Sequence, residues 1–244
     1  MKKKILMICY YYPPLADVGC KRSVAFAKYL KKHAWQPHVL SVKNPDRTYC
    51  QVGSEAPQAE VPTFYTYSLF SLYWFFGKIN GLASRILSLV NIRIQRNYLH
   101  DVFSIPDLFC GWIPGAVFSG VRLIKKYDLE CIYVSCTPYS SAIAGLVIKK
   151  ITNKPLVVDF RDPFYVTVPS ISTIPKFRKK IDKWIEKRII DNCDKFVVNT
   201  KEVESGYLKV YPEIKRKITT IHNGFDHVLM PEKSQNKYHK FTII

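Results

Sequence analysis

Residues 5–14 read Ile5-Leu6-Met7-Ile8-Cys9-Tyr10-Tyr11-Tyr12-Pro13-Pro14, an apolar run that two prolines stop. A run this short and this apolar fits a strand covered on both faces, as at the centre of a parallel sheet. Met1-Lys2-Lys3-Lys4 gives it the basic start of a secretory leader, but no small-residue cleavage site follows, which favours the strand. Val18 to Lys32 then reads as a helix. Val24, Ala27, Tyr29 and Leu30 form its apolar stripe, and Lys21, Arg22, Lys28, Lys31 and Lys32 its basic face. Pro37 to Val42 reads as the next strand. Strand, helix and strand in this order make a βαβ unit, which requires a parallel sheet.

The second half keeps the alternation. Helices are expected over Ile113–Lys126, Ser140–Lys150, Pro175–Ile190 and Glu202–Val210. Strands are expected over Cys131–Ser135, Pro155–Phe160, Lys195–Asn199 and Lys217–His222. Such alternation predicts one α/β domain over residues 1–230, with a doubly wound, mostly parallel sheet and helices on both faces. Asn44 to Pro62 reads as a loop. Pro231 to Lys240 reads as a linker, and Phe241-Thr242-Ile243-Ile244 as a strand just begun, so residues 231–244 are expected to open a second, truncated domain.

Bulk composition narrows the function classes. The 244 residues carry a formal net charge of +18, which favours anionic partners: acidic lipid, phosphorylated substrate or nucleic acid. With 48% hydrophobic residues and 14% aromatics, the chain is not a disordered one. Its seven cysteines include no CxxC pair and no histidine at metal spacing, so no zinc site is expected. Cys9, Cys131 and Cys136 fall in or beside apolar strands, where a thiol acts as a small hydrophobe. The set reads as that of a reducing cytosol.

Three segments carry candidate chemistry. The loop Tyr11 to Arg22 leaves the first strand and opens the first helix, where a backbone can approach a phosphate or sugar. It holds only Gly19, so it is not a dinucleotide fingerprint. Val157-Val158-Asp159-Phe160-Arg161-Asp162-Pro163-Phe164 places two carboxylates around an arginine at the end of a buried strand. A carboxylate there can orient or deprotonate a hydroxyl, and the arginine can hold an anion. The competing reading makes Asp159 and Arg161 a structural pair. Ile221-His222-Asn223-Gly224-Phe225-Asp226 is a turn or the hinge of a cleft.

In this order, ILMICYYYPP, VVDFRDPF, NTKEVESGYLKVYPEI and ITTIHNGFD resemble the N-terminal domain of glycosyltransferase family 4. The resemblance implies a retaining enzyme of the GT-B fold, in which two Rossmann-like domains face each other. The N-terminal one takes the acceptor, the C-terminal one takes most of the nucleotide sugar, and neither metal nor cofactor is needed. It places the DFRDP segment near the acceptor, in agreement with its strand-end position, so Asp159 and Asp162 are expected to be catalytic, and substrate contacts are expected from Gly19, Lys21, Arg22, Thr137, Arg161, Asn223 and Gly224. Two departures stand out. Relatives often carry adjacent glycines where this chain has Ala16 and Asp17, and many place a histidine within the stretch occupied here by Cys136 to Ala142. The donor-binding half would begin near Phe241. The expected function is therefore the acceptor half of a glycosyltransferase acting on a lipid-linked or cell-envelope saccharide. The rival readings are an incomplete or split product that binds acceptor or membrane alone, with a separate donor-binding domain as partner, and an unrelated nucleotide binder.

Charge placement adds a surface. Pro175 to Ile190 holds seven Lys/Arg residues, with Phe177, Ile181, Trp184, Ile185 and Ile189 expected on one face. A basic amphipathic helix of this kind sits on anionic bilayers. Val61 to His100 lacks any acid and contains Tyr73, Trp74 and Phe75. These aromatics, preceding an expected helix from Lys78 to Arg96, are read together with Lys179, Lys180 and Lys183 as membrane contacts. A peripheral location on the inner face of the cytoplasmic membrane is expected, with no transmembrane span, because Asn80 and Arg85 interrupt the apolar run. Nucleic acid is not expected, since the basic residues fall in no readout module.

Overall fold

The computed structural model describes residues 2–46, 50, 61–72, 75, 78–79, 104–164 and 175–224. The strands are β1 (Lys3–Cys9), β2 (Trp35–Val42), β3 (Thr63–Thr66), β4 (Cys131–Cys136), β5 (Leu156–Phe160), β6 (Lys195–Val198) and β7 (Ile218–Thr220). The helices are α1 (Val18–Leu30), α2 (Ile113–Tyr127), α3 (Ser140–Thr152), α4 (Lys176–Asn192) and α5 (Lys201–Val210). The strands form one sheet in the order β3-β2-β1-β4-β5-β6-β7, and every neighbouring pair is parallel.

Burial explains the strands. Every residue of β1 from Ile5 to Cys9 and all of β4 are buried, as a central strand covered on two faces requires. Side chains alternate between two cores. Leu6, Ile8, Leu40, Val134, Phe160 and Phe196 pack under the layer of α2, α3, α4 and α5, where they meet Leu123, Ile148, Ile189 and Tyr207. Ile5, Met7, Cys9, Val39 and Tyr133 pack on the other face against Ala27, with Val24, Phe26 and Leu30 of α1. Right-handed crossovers produce this division, because the chain runs outward from β1 to β3 and then in the opposite direction from β4 to β7. Helices α2 and α3 end on Asp128 and Asn153 in the left-handed conformation, which short polar side chains tolerate.

Three expectations change. Thr63 to Thr66, within the acid-free stretch from Val61 to His100 where no strand is expected, is an edge strand; its four residues alternate too little to announce themselves. On α1, Arg22 is buried and Tyr29 is exposed, the reverse of the expected faces. On α4 the buried side carries Arg178, Asp182 and Glu186 beside Ile185, Ile189 and Ile190, whereas Phe177 and Trp184 are 50% and 59% exposed. Burial there is possible because the polar groups are satisfied. Arg178 donates to Asp182 at 2.8 Å and to the Pro106 carbonyl at 3.0 Å, and Glu186 accepts from the hydroxyls of Tyr207 and Tyr211. Of the expected helix from Lys78 to Arg96 only Lys78 and Ile79 are among the described residues, and the tail 231–244 lies outside them.

Candidate functional site

The strands β1, β4 and β5 lie side by side, and their C-terminal ends open on one mouth. Between β1 and β4 the direction of winding reverses. A crevice beyond the carboxyl ends of the strands at such a reversal is where open α/β sheets bind ligands. The loops that meet there follow Cys9, Cys136 and Phe160.

Arg161 is the centre of this mouth. Its backbone N–H donates to the Cys136 carbonyl at 3.0 Å, its Nε to the same carbonyl at 3.1 Å, and its Nη2 to the Thr137 carbonyl at 2.8 Å. The guanidinium lies 5.7 Å from the Tyr11 ring centroid. Nη1 makes no hydrogen bond among the described residues and faces Gly19, where a Cβ would lie 2.6 Å from it. Glycine is therefore the residue that lets the guanidinium reach across to α1. A fixed arginine with one nitrogen unengaged is a ready donor to a carboxylate or phosphate oxygen.

Asp162 is exposed beside it. One oxygen accepts from the Thr137 hydroxyl at 3.3 Å. The backbone around it is held from the helical layer, because Tyr139 donates to the Asp162 carbonyl at 2.8 Å and the Phe164 N–H donates to the Tyr207 hydroxyl at 3.3 Å. Tyr139 also stacks on Phe164 with ring centroids 4.0 Å apart. Asp162 thus presents a solvent-facing carboxylate on a braced loop, close to Thr137 and to the arginine that precedes it.

Asp159 sits differently. It is fully buried and accepts two hydrogen bonds from Arg22, at 2.8 Å to Nε and 2.9 Å to Nη2, and one from the Tyr133 hydroxyl at 2.5 Å. Arg22 extends its Nη1 to the Asn223 side-chain carbonyl at 3.1 Å. Burial lowers the basicity of Arg22, but the bonds and charge of Asp159 more than offset this and raise its pKa. Burial, and then Asp159, hold the Tyr133 hydroxyl well above its ordinary range, so it stays protonated and donating. The expected catalytic carboxylate at 159 and the expected substrate contact at Arg22 are thus engaged with each other inside the protein. The structural pair is also not Asp159 with Arg161, as the sequence suggested, but Asp159 with Arg22. Exposed Asn223 is drawn to the same cluster, and Gly224 beside it has open space at its Cβ position among the described residues. Lys21 is exposed near the start of α1.

Sequence reasoning missed several supports. Asp107 is a half-buried carboxylate that accepts from the Ser140 N–H at 2.8 Å, from the Ser140 hydroxyl and from the Phe109 N–H, and so closes the start of α3. Burial raises its pKa, and the Ser140 bonds oppose the rise. Tyr133, Tyr139 and Tyr207 stand in apolar stretches where they read only as core. Of the expected membrane contacts, Lys180 and Lys183 are exposed, Lys179 is half-buried and Phe75 is exposed; Tyr73 and Trp74 lie outside the described residues. Among the described residues no helix is long and apolar enough to cross a membrane, and no group of acidic, histidine or cysteine side chains is disposed to hold a metal.

A parallel sheet with a cleft at its carboxyl edge, lined by an arginine and an aspartate, defines a Rossmann-like domain with its ligand crevice at the winding reversal. The model of glycosyltransferase family 4 matches residues 22–229, and the chain belongs to that family. Solved structures of similar fold include the sucrose-phosphate synthase of Thermosynechococcus elongatus (14% identity, TM-score 0.56, covering 92% of this chain and 49% of that one). The UGT71G1 of Medicago truncatula, solved with UDP-glucose, aligns at 10% identity and TM-score 0.51, covering 95% of this chain and 54% of that one. HepE of Anabaena, solved with UDP and glucose, aligns at 14% identity and TM-score 0.50, covering 92% and 45%. The chain spans about half the length of these GT-B proteins. No curated protein matches it.

Proposed function

We propose that this chain is the acceptor-side half of a retaining, nucleotide-sugar-dependent glycosyltransferase acting on a lipid-linked or cell-envelope saccharide. The observation that carries the proposal is the meeting of Gly19, Thr137, Arg161 and Asp162 at one mouth of a family 4 domain. Asp162 is the group suited to orient the attacking hydroxyl, and Arg161 the group suited to an anionic part of the acceptor or donor. Asp159, in this reading, is a positioning residue: it fixes Arg22, which fixes α1 and the turn at Asn223. The nucleotide sugar is held mainly by a facing second domain, with no cofactor or metal. The exposed lysines of α4 favour an acceptor presented at the inner face of the cytoplasmic membrane.

The test has two arms. Calorimetry of this chain with uridine, guanosine and adenosine diphosphate sugars should give at most weak binding, and micromolar affinity would remove the division of labour proposed. Joined to a donor-binding domain, the chain should support transfer to a saccharide acceptor. Transfer that proceeds equally well when residues 1–230 are exchanged for an unrelated domain would defeat the reading.

A further inference from the structure

Away from the mouth, α2 and α3 leave between them an open groove of about 960 Å³, lined by Ile113, Val117, Phe118, Val121, Val147 and Ile151. Phe118 is 69% exposed and Ile151 56%. Large apolar side chains at such exposure are costly unless something covers them. The groove is not neutral at its edge, because Arg122, Lys125 and Lys126 line one end. Neither α2 nor α3 contains an acidic residue. Arg122, Lys125 and Lys150 make no ion pair among the described residues, whereas Lys149, nearer the sheet, is paired with Asp194. Helix α3 packs between α2 and α4 in one layer, so the outward Phe177 and Trp184 of α4, with the unpaired Lys180 and Lys183, continue the same side of the molecule.

We infer that this outer face of α2, α3 and α4 is the surface by which the protein docks on an anionic lipid bilayer. Phe118, Ile151 and Trp184 enter the headgroup boundary, and Arg122, Lys125, Lys126, Lys150, Lys180 and Lys183 meet acidic headgroups. The argument is complementarity. Apolar side chains sunk among unpaired cations, with no acid on α2 or α3, match a layer that offers negative charge outside and hydrocarbon within. A protein partner of ordinary composition would bring acids to some of these cations but would have no reason to meet so many of them across three helices. The inference rests on the membrane-presented acceptor proposed above, and it can fail separately from it.

The full chain is sedimented with vesicles of phosphatidylcholine alone and of phosphatidylcholine with phosphatidylglycerol, at low and high salt. It is expected to pellet with the anionic vesicles at low salt and to be partly released by salt. Removing a cation at such a surface weakens partition about fivefold, so Lys125→Ala with Lys126→Ala should weaken it roughly 25-fold. Phe118→Ser with Ile151→Ser should weaken it by about tenfold at either salt, since it removes apolar burial. Both pairs of positions are exposed, and unchanged circular dichroism and melting curves confirm that the variants fold. If the wild type pellets and neither variant differs from it, docking lies elsewhere: this surface is refuted while the membrane reading stands. If the wild type pellets with neither vesicle, both are refuted. Tighter retention on a DNA duplex than on vesicles, lost in the lysine variant, would also overturn the assignment.

Discussion

Arg22 of α1 and Asp159 of β5 face each other through two parallel hydrogen bonds, 2.8 and 2.9 Å long, in a site closed to solvent. Breaking one side of such a pair leaves a charge uncompensated in low dielectric. Asp159→Asn should therefore lower unfolding free energy by about 3–5 kcal/mol, readable by urea titration. A combined Arg22→Met and Asp159→Leu variant should recover most of that loss. If Asp159→Asn keeps wild-type stability and loses only turnover, the residue acts on substrate after all.

Asp162 is the opposite case. It is exposed, with a single 3.3 Å hydrogen bond from Thr137, so Asp162→Asn should leave the melting temperature unchanged. In a form completed by a donor domain it should lower kcat by roughly 100-fold, the scale of a lost acid–base group. Full activity would remove it from the chemistry.

Gly19 tests Arg161 from the other side of the mouth. A methyl group at position 19 would lie 2.6 Å from Nη1, and the guanidinium, being the end of a flexible side chain, can yield. Gly19→Ala should thus fold normally but displace Arg161, raising the KM of the anionic substrate by about tenfold, the cost of one charge-assisted hydrogen bond. An unaltered KM would mean that Nη1 does not meet substrate.

His38 gives a pH signature unrelated to the mouth. It is buried in β2 between Phe64 and Tyr127, with its Nδ1 3.3 Å from the Gln36 carbonyl. Burial, with a smaller effect of Lys4, lowers its pKa below the ordinary 6.5, and the Gln36 carbonyl opposes the shift. Below pH 6.5 the unfolded chain then binds the proton more readily than the folded one, so stability is fully present above that pH and declines as pH falls through the lowered value. His38→Gln should flatten that part of the stability–pH curve in denaturant titrations. A curve as steep as the wild type's would assign the acid sensitivity to other groups.

The order of elements was legible because apolar runs such as Ile5 to Tyr10 and their spacing by helical stripes survive in one dimension. The mouth was legible for the same reason, since Gly19, Thr137 and Arg161 each follow a strand. Partnership was not. Nothing local distinguishes Asp159 from Asp162, three residues apart, yet β5 turns one toward α1 and leaves the other in solvent. On α4, Arg178, Asp182 and Glu186 fall one turn apart on a buried side, because Pro106, Tyr207 and Tyr211 arrive from distant segments to satisfy them. A helical stripe counted only by hydrophobicity therefore chose Phe177 and Trp184, which face outward.

The sheet order also sets the sequence of assembly during synthesis. Strand β1 and helix α1 leave the ribosome early, but the neighbour of β1 on its inner side is β4, and the partner of Arg22 lies 137 residues further on. Until β5 is made, the guanidinium of Arg22 must stay hydrated, which keeps the inner face of α1 from closing on the sheet. A nascent chain halted before Asp159 thus carries a charge where its apolar layer should shut, and non-local closure of this length is slow to form. The same ion pair that steadies the finished domain marks, for an unfinished one, that synthesis has not yet reached β5.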